Sequence, residues 1–179
     1  TMPRLALILA LVVAIAPPSL AQSPPPEVGT WQATGSHGAV AAGGQGAVDA
    51  GLGVLKDGGT AADAAVATIL ALTVTDAKSV CFGGEVPILI YDARRKVVEV
   101  IAGQGVAPRL ATREHFAARG SIPINGIEPA AVPALLDACV VTLERHGTIT
   151  FARAAAPTLR LLDAGRLDWH PSSPGRSAA

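Results

Sequence analysis

Residues 50–92 read AGLGVLKDGGTAADAAVATILALTVTDAKSVCFGGEVPILIYD, and this stretch decides the fold. It holds the end of one helix, a Gly-Gly stop, a second helix that is almost wholly apolar, a glycine-bearing loop and a strand. Val48, Leu52 and Leu55 fall at helical spacing, which predicts a helix over 46–57 with those three side chains inward. Gly58-Gly59 ends it, because glycine enters the left-handed region at little cost. Thr60 restarts the chain: its hydroxyl is placed to accept the Asp63 amide proton while the Asp63 carboxylate reaches back, a variant of the capping box. The helix that follows, over 61–74, is apolar on nearly every side and is expected to be covered all round. It falls short of the ~20 residues a membrane span needs, so it reads as a core helix.

Working outward, Val86–Tyr91 and Lys96–Ile101 are rich in Val and Ile and flank Asp92-Ala93-Arg94-Arg95, the pattern of a β-hairpin. Arg94, Arg95 and Lys96, the densest basic cluster, then lie at a solvated turn. Thr112 is expected to cap a short helix ending at Gly120. A helix over 134–146 places Leu135, Leu136, Cys139, Val140 and Leu143 on one face and closes at Gly147. Thr150 opens a last helix that Pro157 should kink or restart and Gly165 should close. Gly38–Ala42 has the composition of a first strand. Helices packed on a partly antiparallel sheet make an α+β fold.

The ends of the chain differ from its middle. Arg4, the apolar run Leu5–Ala16 and the small-x-small site Ser19-Leu20-Ala21 have the layout of a secretory signal peptide over 1–21, predicting a secreted or periplasmic protein with no stable membrane anchor after cleavage. Residues 22–37 read as a Pro-rich linker, and 171–179 as a low-complexity tail, either disordered or the product of a frameshift. The formal charge is zero, and removing Arg4 makes it −1, so nothing suggests a nucleic-acid partner. Half of the residues are apolar but only 3% are aromatic, so the core must be built from Ala, Val and Leu. Cys81 and Cys139 are too few for a disulfide scaffold and read as two free, buried thiols.

Local motifs supply little chemistry. His37, His115, His146 and His170 lack metal-ligand spacing, and no metal or other cofactor is called for. Ser36 and His37 are adjacent, a poor geometry for a nucleophile and its base. Phe82-Gly83-Gly84 lacks a following Lys and leads into a strand, which argues against a phosphate loop and for close backbone packing.

The order of these segments resembles the N-terminal part of the large subunit of gamma-glutamyltransferases, over 38–170. The quoted stretch carries the likeness together with Ala107-Pro108, Ala111-Thr112 and Phe116, similar to the family's "APxxAT…F" segment. Glu128–Pro133, Gly147-Thr148, Ala156-Pro157 and Gly165 follow in the family's order. The resemblance implies part of a four-layer αββα N-terminal-nucleophile hydrolase sandwich. It also implies self-cleavage ahead of a Thr, whose hydroxyl attacks an amide and whose α-amine serves as base. The acyl group, γ-glutamyl in glutathione and related amides, then passes to water or an amine.

In the family the nucleophile and oxyanion donors belong to a later, small-subunit part, so no catalytic residue is expected in this chain. The substrate-binding candidates are Gln104 and Gly105, standing where the family has an Arg-Glu pair in the segment after the hairpin. An Arg there grips a substrate carboxylate through two bonds. Gln brings no charge, so carboxylate recognition must weaken or move. Two further readings stand beside the enzyme fragment: a stand-alone exported binding module, and a subunit completed in trans by a catalytic chain.

Overall fold

The computed structural model describes residues 33–165, and the elements below all lie in one compact unit that begins at Gly35. The expected signal peptide, His170 and the tail lie outside the described residues. In chain order the elements are α1 (Gln45–Lys56), α2 (Ala61–Thr75), β1 (Ile88–Asp92), β2 (Val97–Ile101), α3 (Arg113–Ala117), α4 (Leu135–His146) and α5 (Phe151–Asp163). The α+β class is as expected. Among the described residues the sheet has two antiparallel strands, not the layers of a full sandwich.

The apolar helix α2 is central. Thr60 Oγ accepts from Asp63 N at 3.2 Å and Thr60 N donates to Asp63 Oδ2 at 2.8 Å, so the capping box forms as read. Val66 and Leu70 of α2 pack with Leu135, Cys139 and Leu143 of α4 and Ala154 of α5. On another side of α2, Ala64 and Ala67 meet Val54 of α1, while Ala71 meets Ala47 and Ala50. The α1–α2 approach is set by Gly51: a Cβ there would collide with Thr68 Oγ1 and crowd the Ala64 carbonyl. Small residues thus exchange side-chain area for close backbone contact.

Two helix faces depart from expectation. In α1 the buried residues are Ala47, Ala50, Gly51 and Val54, and the larger Val48, Leu52 and Leu55 are half-buried. Close approach selects the small face of α1, overriding simple apolar spacing. In α4 the buried stripe is Leu135, Ala138, Cys139, Thr142 and Leu143, leaving Leu136 and Val140 exposed. Thr142 tolerates burial because its hydroxyl donates to Ala138 O at 2.7 Å. Helix α5 runs through Pro157 as one element rather than restarting. Gly38–Ala42 is not a strand, since the two strands described pair only with each other. Cys81 is exposed and Cys139 buried, both free; burial pushes the Cys139 thiol up to about 11.

The hairpin forms in the register Ile88↔Ile101, Leu89↔Val100, Ile90↔Glu99, Tyr91↔Val98. Ile88 and Ile101 turn inward onto Ala138 of α4. Alternation sends Leu89, Tyr91, Val98 and Val100 to the other face, where each is at least 60% exposed. At the turn Arg95 pairs with Asp92 and Glu99; its hydrogen bonds pull the Asp92 carboxyl down to about 2. The basic turn is solvated, as read.

Candidate functional site

The Gln104–Gly105 loop leaves the end of β2 and is fixed by main chain on both sides. Gly103 N donates to Ile101 O at 3.0 Å, and Val86 N donates to Gly103 O at 2.9 Å. Gly103 is buried so tightly that a Cβ would strike Val86 O and Ala138 Cβ. Gly105 has φ +68, and a Cβ there would also strike Val132 O. Both conformation and space therefore demand glycine. One residue on, Val106 O accepts from Val132 N at 2.9 Å. Gln104 sits between these two anchors with its side chain exposed. The loop is shaped by its glycines, and the residue between them is free to meet another molecule.

Immediately beyond it lies a cleft of about 550 Å³. Ala107, Pro108, Phe116, Pro129 and Ala130 line it with carbon, and Arg113 and Glu128 contribute the charge. Thr112 Oγ accepts from His115 N at 3.2 Å, capping α3 as expected and turning Phe116 inward. Glu128 is held by Arg119, with His115 Nε2 4.0 Å from the same carboxylate oxygen.

A buried polar centre locks the helical part. Asp63 is fully buried, and besides Thr60 N its carboxylate accepts Thr148 N at 2.9 Å, Thr148 Oγ1 at 2.8 Å and Ile149 N at 3.3 Å. Burial alone would raise the carboxyl pKa; the bonds from Thr60, Thr148 and Ile149 outweigh it and hold the group below its ordinary value. Thr60 Oγ donates to His146 O at 3.1 Å, and His146 Nε2 lies 3.1 Å from Glu99 Oε2 on β2. Gly147 closes α4 with φ −88, outside the left-handed region; it is glycine because a Cβ would meet Asp63 Oδ1 and the Leu143 backbone. Thr60 is thus committed to structure.

The sequence reading took Asp63 for a helix cap and missed its long-range role. The available signal was a carboxylate near the start of a helix with no exposed face, where one cap cannot satisfy both oxygens. Among the described residues, His37, His115 and His146 take part in separate contacts. Ser36 Oγ lies 2.8 Å from His37 Nδ1, but the pair is exposed, and no cluster suited to a metal occurs among the described residues. Gly84 closes a tight turn on Cys81 O, whereas a Cβ on Gly83 would meet open space, so close packing does not account for that glycine.

Comparison with known proteins agrees with this arrangement. The gamma-glutamyltranspeptidase of Pseudomonas nitroreducens, solved with L-DON, superposes with a TM-score of 0.63 at 28% identity, covering 72% of this chain and 39% of that one. The Helicobacter pylori gamma-glutamyltranspeptidase gives a TM-score of 0.66 at 26% identity, over 73% of this chain and 38% of that one. An acylase ACY 1 proenzyme of Pseudomonas sp. (strain V22) is 32% identical over 146 residues, which is 74% of this chain and 26% of that protein. The two solved transpeptidases share the α+β arrangement described above. The Gamma-glutamyltranspeptidase family model matches residues 47–167, and the chain belongs to that family. It spans about a fifth to a quarter of the length of the curated relatives it matches.

Proposed function

We propose that this chain is the opening part of the large subunit of an exported amidohydrolase that hydrolyses or transfers a γ-glutamyl or related acyl group. The observation that carries this reading is the two-faced hairpin. Ile88 and Ile101 are covered by α4, while Leu89, Tyr91, Val98 and Val100 form an apolar face suited to a second sheet. A layered αββα body would cover that face, and the Gln104–Gly105 loop at the end of β2 would then border its active site.

In this reading a Thr led by its own free amine, in a small-subunit segment beyond this sequence, attacks the amide carbonyl. The amine takes the hydroxyl proton, the leaving amine departs, and water or an acceptor amine releases the acyl group. This chain supplies the scaffold and one wall of the acyl site. Gln104 in place of a cation favours acyl groups that lack a carboxylate at that point. Domain limits follow the same proposal: export signal 1–21, linker 22–37, and the family region 38–170.

The test is reconstitution. The chain alone should not turn over a γ-glutamyl anilide, and combination with a Thr-led small-subunit segment should produce turnover. Gln104→Arg in the reconstituted protein should raise the preference for γ-glutamyl over uncharged acyl anilides about tenfold, an amount expected of one charge-assisted contact. Activity that copurifies with the isolated chain would sink the fragment reading. N-terminal sequencing of exported protein should begin at Gln22.

A further inference from the structure

We propose that the cleft between α3 and the Glu128–Ala131 segment binds a small molecule with an apolar chain and a carboxylate, and that Arg113 is the cation that pairs with the carboxylate. A volume of about 550 Å³ lies in the range of small-molecule sites. Ala107, Pro108, Phe116, Pro129 and Ala130 present carbon to it, so its walls select an apolar body. Only two charged residues stand in the lining, and they differ in state. Glu128 is neutralised by Arg119, with His115 also close. Arg113 has no ion pair or side-chain hydrogen bond among the described residues.

The cleft therefore couples apolar walls to one exposed guanidinium that has no partner among the described residues. A neutral apolar guest would leave that charge unused, and a cationic guest would be repelled. A monocarboxylate satisfies both parts, and the guanidinium fork matches its two oxygens.

Position supports the same ligand. The cleft begins at Ala107, and its far wall reaches Ala131, whose Cβ lies 3.5 Å from the place a Gly105 side chain would take. A carboxylate that finds no charge at Gln104 finds one at Arg113, across the same loop. The link to an acyl substrate rests on the function proposed above, whereas binding is a property of this chain by itself.

The experiment titrates the full chain with hexanoate and, in parallel, with hexanamide, by calorimetry and by ligand-observed NMR. Hexanoate should bind about tenfold more tightly than hexanamide, as expected for one charge-assisted pair. Arg113→Gln should remove that difference while leaving hexanamide unchanged, and Arg113→Lys should restore part of it. Ala130→Trp, which fills the cleft, should weaken both ligands. Far-UV circular dichroism establishes that each variant is folded. Equal affinity for the two ligands, hexanoate binding indifferent to Arg113→Gln, or no saturable binding by the folded chain would overturn the proposal. Failure of reconstitution with hexanoate binding intact would instead count against the amidohydrolase reading alone.

Discussion

The helical part and the hairpin part of this molecule solve burial in opposite ways. Around α2, small residues bring backbones together, and the buried Asp63 carboxylate is matched by donors from Thr60, Thr148 and Ile149. The hairpin buries one face on α4 and leaves the other, equally apolar, open. A region whose buried carboxylate is matched by several donors, although the Thr75 and Thr158 hydroxyls are buried without a partner, stands beside one whose apolar pattern exceeds what its neighbours cover. The first behaves as scaffold, and the second leaves an apolar face exposed.

The largest perturbation of that contrast should come from Asp63→Ala, which strips several buried donors of their acceptor. A loss of about 3–5 kcal/mol is expected, from leaving several buried donors unsatisfied at about 1–3 kcal/mol each, and urea unfolding followed by circular dichroism measures it. Acid should remove the same contribution from the native chain. The Asp63 pKa is depressed on folding, so its stabilisation is present above the unfolded value near 4 and is lost as pH falls through the folded one. Urea midpoints measured from pH 5 downward should therefore fall for the native chain, and fall less steeply for Asp63→Ala.

Gly51→Ala should cost about 1–3 kcal/mol by overpacking α1 against Thr68. Thermal melts beside Gly53→Ala, where a Cβ meets nothing within 4 Å, isolate the clash. The smallest stability effect belongs to the hairpin. Leu89→Lys with Val100→Glu, an opposite-charge pair across the strands, should change stability by only about 0.5 kcal/mol or less, as exposed sites do, yet reduce self-association in sedimentation. A large loss there would show the exposed face to be part of the core after all.

The α+β class, the hairpin and most helix ends were legible because they rest on local chemistry. Thr60, Thr112 and Thr150 each accept a helix-start amide proton, and Gly58, Gly120 and Gly165 each take positive φ. Helix faces were less legible. Leu52 outranks Gly51 on any apolar scale, but only the partner helix reveals that closeness matters more than side-chain size. Of the two outcomes expected at Pro157, a restart does not occur, since α5 continues past it while packed on α2. At the candidate site, Gly105 was read through a family likeness, and its contact with Val132 spans too much sequence for spacing to disclose. Thr148 as the partner of Asp63 was hidden by the same separation.

The anchoring of Gly103 and Gly105 has a consequence for how such proteins diversify. Backbone bonds to Val86, Ile101 and Val132 hold the loop whatever side chain stands at 104. A single codon change can therefore exchange the chemical group presented there without re-optimising the fold. The exposed position between the two glycines is thus free to vary while the architecture stays the same.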